Sequence, residues 1–323
     1  MSAVLDGIDT AAEEPVAVAA VAGDQASLDP YVSIILPCYN EADHVVAEVA
    51  RICEAMDASG YEYELLAYDD ASTDETLARL YQAAPGFPRL RIVPFQRNGG
   101  SGTVRRIGTQ RARGDIVVWT DADMTYPNER IPEFVQILET DATVDQVVGA
   151  RTHEQGAHKF LRVPAKWLIR KLAEGLTRTR IPDLNSGFRA FRRDVARPYL
   201  RLLPPGFSCV TTITLAFLSN QHDVRYVPID YAKRSGTSKF RYVADVYRYM
   251  LQVLRMVMYF KPLNVLMPVA LALLGLGVGK GIYDVAAHPL RLAVNTVLIF
   301  LTGMIIVSLA LLADLIVRSR GDT

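Results

Sequence analysis

The sequence predicts an α/β protein: a mainly parallel sheet with helices on both faces, followed by interfacial amphipathic helices and a C-terminal two-helix transmembrane hairpin. Three features of its 323 residues predict this. Between residues 32 and 120, short apolar β-branched runs alternate with stretches of helical spacing. Near the C-terminus, residues 262–279 and 292–313 hold no charged side chain. The charge, 35 Lys and Arg against 35 Asp and Glu, is also sorted along the chain. Residues 1–150 carry 10 basic and 25 acidic side chains, residues 151–261 carry 21 and 7, and the remainder carries 4 and 3.

Residues 1–30 hold Asp6, Asp9, Glu13 and Glu14 but no Lys or Arg. A secretory signal needs a basic start, so this segment reads as a flexible tail. Residues 32–36 form a first strand ended by Pro37, and residues 42–56 a helix with Val45, Val49 and Ile52 on one side. Strands at 64–67, 91–94 and 116–120 then alternate with helices at 73–83 and 102–113. The alternating domain is placed at residues 31–239. Ligands of such sheets bind beyond the carboxyl ends of the strands.

Within that domain, residues 159–180 interleave seven Lys and Arg with Phe160, Trp167 and several leucines; residues 240–261 repeat the theme with tyrosines as a juxtamembrane amphipathic helix. Such stretches favour anionic headgroups, each basic side chain near the surface contributing ~1 kcal/mol. The plain alternative is an amphipathic helix packed on a soluble core. A nucleic-acid partner is excluded, because no recognition motif is present and apolar spans follow directly.

The hairpin occupies residues 262–323, with spans at about 262–282 and 292–316. At ~1.5 Å per residue the second uncharged stretch covers ~33 Å against a bilayer core of ~30 Å. The first reaches ~27 Å and is extended by Lys280, whose side chain can snorkel. The linker is nearly neutral, whereas basic residues precede the first span and Arg318 and Arg320 follow the second. The expectation is a multi-pass cell-membrane protein with both ends, and the α/β domain, in the cytoplasm. Cys38, Cys53 and Cys209 are too few for a disulfide framework and read as buried small apolar residues in a reducing compartment. His44, His153, His158, His222 and His288 show no pairing or ligand spacing.

Every strand end in the first half is decorated. Pro37-Cys38-Tyr39-Asn40-Glu41 follows the first strand and Asp69-Asp70-Ala71-Ser72-Thr73-Asp74 the second. Asn98-Gly99-Gly100-Ser101-Gly102 follows the third, and Asp121-Ala122-Asp123 the fourth. Ser72 or Thr73 would cap the next helix, with Glu75 in its first turn. Asn98–Gly102 reads on its own as a flexible turn. Asp121 and Asp123 are different: two carboxylates one residue apart after a buried strand repel unless a cation lies between them. Mg²⁺ or Mn²⁺ takes such oxygen ligands and is completed by substrate phosphates, which points to a metal-bound diphosphate. The competing reading is a turn with solvated carboxylates.

In this order, these motifs resemble the family 2 inverting glycosyltransferases of GT-A, Rossmann-like fold. Asp183-Leu184-Asn185-Ser186-Gly187-Phe188-Arg189 and Arg234-Ser235-Gly236-Thr237-Ser238-Lys239, followed by the hairpin, are similar to the polyprenyl-phosphate branch, which includes dolichol-phosphate mannose synthases and undecaprenyl-phosphate glucosyltransferases. The resemblance implies nucleotide contacts from Pro37, Tyr39, Glu41, Asp69 and Asp70, with Asp70 favoured for base or ribose. It implies a metal on Asp121 and Asp123. Thr125 stands where relatives often carry a metal-holding Gln and is a poorer, optional ligand. It places Arg151, Arg162, Lys166, Arg189, Ser238 and Lys239 near the acceptor or donor phosphates, counts Arg234 with the paired aspartates as catalytic, and gives Asp183 a role orienting the sugar or an arginine. Lys166 replaces a hydroxyl found in some relatives. For the basic residues, headgroup contact, solvation or, for Arg189, pairing with Asp183 are the alternatives.

The implied reaction moves one hexose-type sugar from a UDP-sugar or GDP-mannose to a polyprenyl phosphate. A phosphate monoester with second pKa near ~6 is already a nucleophile at neutral pH and needs no strong base. The difficulty is electrostatic, each pair of charges at ~4 Å repelling by ~4 kcal/mol at an effective dielectric of ~20. A divalent ion and the basic middle of the chain would offset this. A transferase acting on a hydroxyl of a lipid-linked saccharide or protein would need a carboxylate base, for which Asp183 is the one candidate. A non-catalytic sugar-nucleotide-binding membrane scaffold is the remaining alternative. The sugar, the base, Mg²⁺ against Mn²⁺ and a homo-oligomeric state are left open.

Overall fold

A computed structural model describes residues 29–152, 174–175, 179–206, 208–232, 254, 258–259, 262–287 and 293–319. The tail, nearly all of 159–180 and of 240–261, and Arg162, Lys166, Arg234, Ser238 and Lys239 lie outside them. The chain divides into two compact units, Met1–Lys159 with Pro182–Phe240, and Phe160–Ile181 with Arg241–Thr323.

Among the described residues the first unit holds seven strands: β1 (Val32–Cys38), β2 (Tyr63–Asp69), β3 (Leu90–Pro94), β4 (Ile116–Trp119), β5 (Val144–Arg151), β6 (Arg189–Arg192) and β7 (Asp223–Ile229). They lie in the order β3-β2-β1-β4-β6-β5-β7. β1 to β4 are mutually parallel, β5 and β7 are parallel to each other, and β6 runs antiparallel to β4 and β5. The helices are α1 (Val45–Ser59), α2 (Thr76–Ala83), α3 (Ser101–Arg111), α4 (Ile131–Thr140), the single turn α5 (Arg193–Ala196) and α6 (Cys209–Ser219).

Both faces of the sheet are covered, so β1, β2 and β4 are buried along nearly their whole length and read as continuous apolar runs. Alternation then sorts their side chains. Ile34, Leu36, Leu65, Ala67 and Val118 join one core with Val49, Ile52 and Met56 of α1 and Phe134 and Leu138 of α4. Ile35 and Tyr68 face the other side, where α3 approaches so closely that a Cβ on Gly108 would lie 2.7 Å from Ile35 Cγ2.

Strands β1 and β2 run past their expected ends. Pro37 does not stop β1: it pairs with Tyr68 in the ladder to β2. The Ile35 carbonyl accepts from Thr120 N on the β4 side, so by alternation the nitrogen of Pro37 also faces that side, beyond the last β4 partner, Trp119. The missing N–H falls where no ladder bond exists. Helix α2 starts at Thr76 rather than at 73, and neither Ser72 nor Thr73 caps it. Instead Ser72 Oγ accepts from Asn40 N and Asn40 Oδ1 from Thr73 N, so the loops after β1 and β2 brace each other.

In the second unit, α7 (Leu263–Ala287) and α8 (Val294–Ser319) are each long and apolar enough to cross a bilayer. They form a hairpin in close contact: a Cβ on Gly277 would lie 3.1 Å from Phe300 Cα, and one on Gly303 would lie 3.1 Å from Leu274 N. Asp284 of α7 accepts from Ala293 N and Thr296 Oγ1 at the start of α8 and from Lys280 Nζ.

Candidate active site

The decorated strand ends meet at the carboxyl edge of the sheet. Tyr39 stands half-exposed after β1. The Glu41 backbone N–H donates to Thr76 Oγ1, whose hydroxyl in turn donates to Asp74. The two aspartates ending β2 have different roles. Both carboxylate oxygens of Asp70 are taken up by backbone donors, Gly99 N at 2.7 Å and Gly100 N at 2.8 Å. Burial raises the Asp70 carboxyl while these two donors oppose it, and the net value lies above the usual carboxylate range. Asp69 Oδ2 accepts from Ser72 N, but Asp69 Oδ1 is buried with no hydrogen-bond partner. Asp70, the residue favoured for the nucleotide, holds the glycine loop, and Asp69 carries the unfilled acceptor.

The glycine loop is no loose turn. Gly100 adopts φ 80, and Gly102 N donates to the Pro205 carbonyl at 2.7 Å. A Cβ on Gly102 would lie 2.0 Å from the Pro204 carbonyl oxygen. The N-terminus of α3 is thus bound between Asp70 and the Pro204–Pro205 backbone.

Beyond β4, Asp121 Oδ1 accepts from Arg105 Nη2 at 2.6 Å, the arginine side chain being 1% and the aspartate 28% exposed. Asp123 is 8% exposed and accepts from both the backbone N–H and the hydroxyl of Thr125. Gly187 lies against the pair: a Cβ there would be 3.0 Å from Asp121 Oδ2 and from Arg105 Nη2. Gly187 N donates to Tyr126 OH, and Tyr126 stacks on Phe188. The segment before β6 is thereby fixed beside the aspartates. Two carboxylates supply hard oxygen donors of the kind Mg²⁺ or Mn²⁺ takes. Among the described residues no group of three or more His, Cys, Asp or Glu could hold a metal, so such an ion would take further oxygens from elsewhere.

The basic residues divide. Arg151, at the end of β5, donates to both oxygens of Asp183 through Nε at 2.7 Å and Nη2 at 3.0 Å, and its guanidinium lies 5.3 Å from the Tyr231 ring centre. Burial raises the Asp183 carboxyl, but the Arg151 hydrogen bond and charge outweigh it and hold it below the usual range. Arg151 rather than Arg189 thus pairs with Asp183, and Arg189 is fully buried and donates to Val210 O, Thr214 Oγ1 and Ser186 O. Burial, with the charge of Arg105 second, lowers its guanidinium to about 10.

Arg105 was not foreseen. It sits on the buried side of α3 with Val104 and Ile107, 5.6 Å from the Trp119 ring, while Arg189 lies 6.0 Å from the same ring. The signal for it was an arginine at an apolar position of an amphipathic helix, which needs a buried carboxylate partner.

Comparisons with known proteins bear on the family and the fold. Residues 33–200 match glycosyl transferase family 2, and residues 261–319 match the GtrB C-terminal hairpin. The undecaprenyl-phosphate 4-deoxy-4-formamido-L-arabinose transferase of Shewanella sediminis is 34% identical over 172 residues, 53% of this chain and 50% of that protein. The dodecaprenyl-phosphate galacturonate synthase of Rhizobium johnstonii is 26% identical over 303 residues, covering 89% and 88%. The dolichol-phosphate mannosyltransferase of Pyrococcus furiosus is 29% identical over 232 residues, covering 68% and 63%. For the Shewanella protein, then, the match spans about half its length. Among solved structures, glucosyl-3-phosphoglycerate synthase from Mycobacterium tuberculosis shares the fold. Its complex with phosphoglyceric acid has a TM-score of 0.57 at 20% identity, over 71% of this chain and 80% of that one. Its complex with Mn²⁺, uridine diphosphate and glucosyl-3-phosphoglycerate has 0.54 at 21%, over 71% and 79%. With more than half its length matched and the paired aspartates at the expected strand end, the chain belongs to glycosyl transferase family 2.

Proposed function

We propose that the chain transfers one hexose-type sugar, with inversion, from a nucleoside diphosphate sugar to a polyprenyl phosphate at the cytoplasmic face of the cell membrane. The observation that carries this is the acidic pair Asp121 and Asp123, backed by the buried Arg105, in a chain that continues into an apolar hairpin. A water-soluble donor and a lipid acceptor are the reactants such a chain is built to bring together. Tyr39 and Asp69, at the carboxyl ends of β1 and β2, would contact the base and ribose. Asp121 and Asp123 would hold a divalent ion, which when bound neutralises the leaving diphosphate. Arg105 fixes Asp121 and keeps positive charge under the diphosphate site.

A phosphate acceptor needs no general base. A hydroxyl acceptor would, and its one candidate, Asp183, is held as a weakly basic carboxylate by Arg151, which disfavours that reading. Arg162, Lys166, Arg234, Ser238 and Lys239 remain our candidates for the acceptor phosphate. The test is to incubate detergent-extracted protein with labelled UDP- and GDP-sugars, Mg²⁺ or Mn²⁺, and undecaprenyl phosphate or undecaprenol. Product with the phosphate alone is expected. Product with the alcohol, or donor binding without turnover, overturns the proposal.

A further inference from the structure

We infer that Glu48, on α1, is a positioning residue that sets the loop carrying Asp121 and Asp123 from behind. Glu48 is fully buried on a helix face otherwise made of Val45, Val49, Ile52 and Met56. Its Oε1 accepts from Asn128 Nδ2 at 2.6 Å and from Arg51 Nη2 at 2.7 Å and Nε at 3.1 Å. The two donors reach both ends of the loop. Asn128 Oδ1 accepts from Thr120 Oγ1, next to Asp121, and Arg51 Nη2 donates to the Tyr126 carbonyl at 2.6 Å. Between those anchors Met124, directly after Asp123, is held at φ 59, a left-handed conformation that a side chain resists unless its surroundings enforce it.

An apolar residue at 48 would pack with its neighbours at less desolvation penalty than a carboxylate does. What the carboxylate adds is a single point to which Thr120, through Asn128, and Tyr126, through Arg51, are both tied. Ligand-bearing loops depend on such outer contacts, whose removal typically lowers metal affinity by about 10–100-fold. The inference rests on the proposed metal and diphosphate role of the two aspartates, and it assigns Glu48 no contact with substrate.

The test uses the full chain in detergent, with Mn²⁺ binding followed by electron paramagnetic resonance in the presence of UDP or GDP, and folding followed by thermal unfolding. Glu48→Leu should stay folded and bind Mn²⁺ with nucleotide at least about tenfold more weakly, whereas Glu48→Gln, which keeps an acceptor for Asn128 and Arg51, should stay within about threefold of the parent. If Glu48→Leu does not fold, Arg51→Met, at a partly exposed position, should weaken binding by about threefold or more. Binding by a folded Glu48→Leu, or otherwise by Arg51→Met, equal to the parent's overturns the inference while leaving the proposed function standing. A parent that binds no Mn²⁺ with either nucleotide overturns both.

Discussion

Residues at this site act in pairs, and each pair has a different vulnerability. Asp123→Ala removes a carboxylate proposed to hold the ion and should abolish transfer; a rate within a few fold of the parent in the labelled-donor assay would sink the metal role. Arg105→Met leaves Asp121 without its buried donor. With Asp121 partly exposed, the expected loss is about 1–3 kcal/mol of stability in chemical denaturation, together with a fall in turnover. The Arg151–Asp183 pair should show itself through pH. Asp183 titrates below its unfolded value of about 3.9, so its stabilisation is complete above that value and is lost as the pH falls through the folded one. In Arg151→Met the backbone donors at 151 and Asn185 remain, but without the guanidinium's hydrogen bonds and charge burial raises Asp183 relative to the parent, so the stabilisation that its ionised form provides at neutral pH shrinks. The gap in unfolding temperature between parent and variant should therefore be widest near pH 7 and narrow below about pH 4. A gap independent of pH would show that Arg151 contributes only packing. The carboxylates Asp69, Asp121 and Asp123 were legible in the sequence because acidic residues at successive strand ends are conspicuous. Arg105, Glu48 and Asn128 were not, since what marks them is the partner each meets across the fold, and no local spacing encodes that.

At the scale of elements, the alternation of β1 through β4 with α1, α2 and α3 could be read directly, because buried parallel strands are uninterrupted apolar runs and their helices keep a regular spacing. β5, β6 and β7 were harder. β6 is four residues long, includes two arginines and runs against its neighbours, so nothing in its pattern announces a central strand. The glycine loop before α3 shows a related limit. Its glycines suggest freedom, whereas the structure uses them for close approach: any side chain at 102 would collide with the Pro204, Pro205 and Gly206 backbone. Gly102→Ala should therefore destabilise by about 1–3 kcal/mol, as overpacking does, and should break the bond from Gly102 N to Pro205 O. Gly86→Ala, where a Cβ meets nothing within 4 Å, is the control and should be nearly neutral. Equal unfolding midpoints for the two would mean that the 204–206 backbone yields freely.

For the molecule as a whole, the governing fact is that a family 2 domain precedes two apolar helices joined by a short linker. On the proposed topology both helices cross, and two crossings would return the chain to the side from which it started, with the domain before α7 and the residues after α8 on one face of the membrane. The basic excess of residues 151–261 and Arg318 and Arg320 is the ground on which we propose the cytoplasmic face for both. The hairpin holds this arrangement through close backbone contact at Gly277 and Gly303 and through Asp284, which ties α7 to the first turn of α8. Small residues at a helix crossing matter more in lipid than in water, because apolar burial gives no preference for helix over lipid. Sidedness then becomes measurable, since a charged nucleotide sugar does not cross a sealed bilayer. Inside-out vesicles containing the chain and undecaprenyl phosphate should form product from externally added donor without detergent. Right-side-out vesicles should do so only after permeabilisation. Equal rates in the two intact preparations would contradict a cytoplasmic domain, and activity confined to right-side-out vesicles would invert the topology while leaving the proposed chemistry intact.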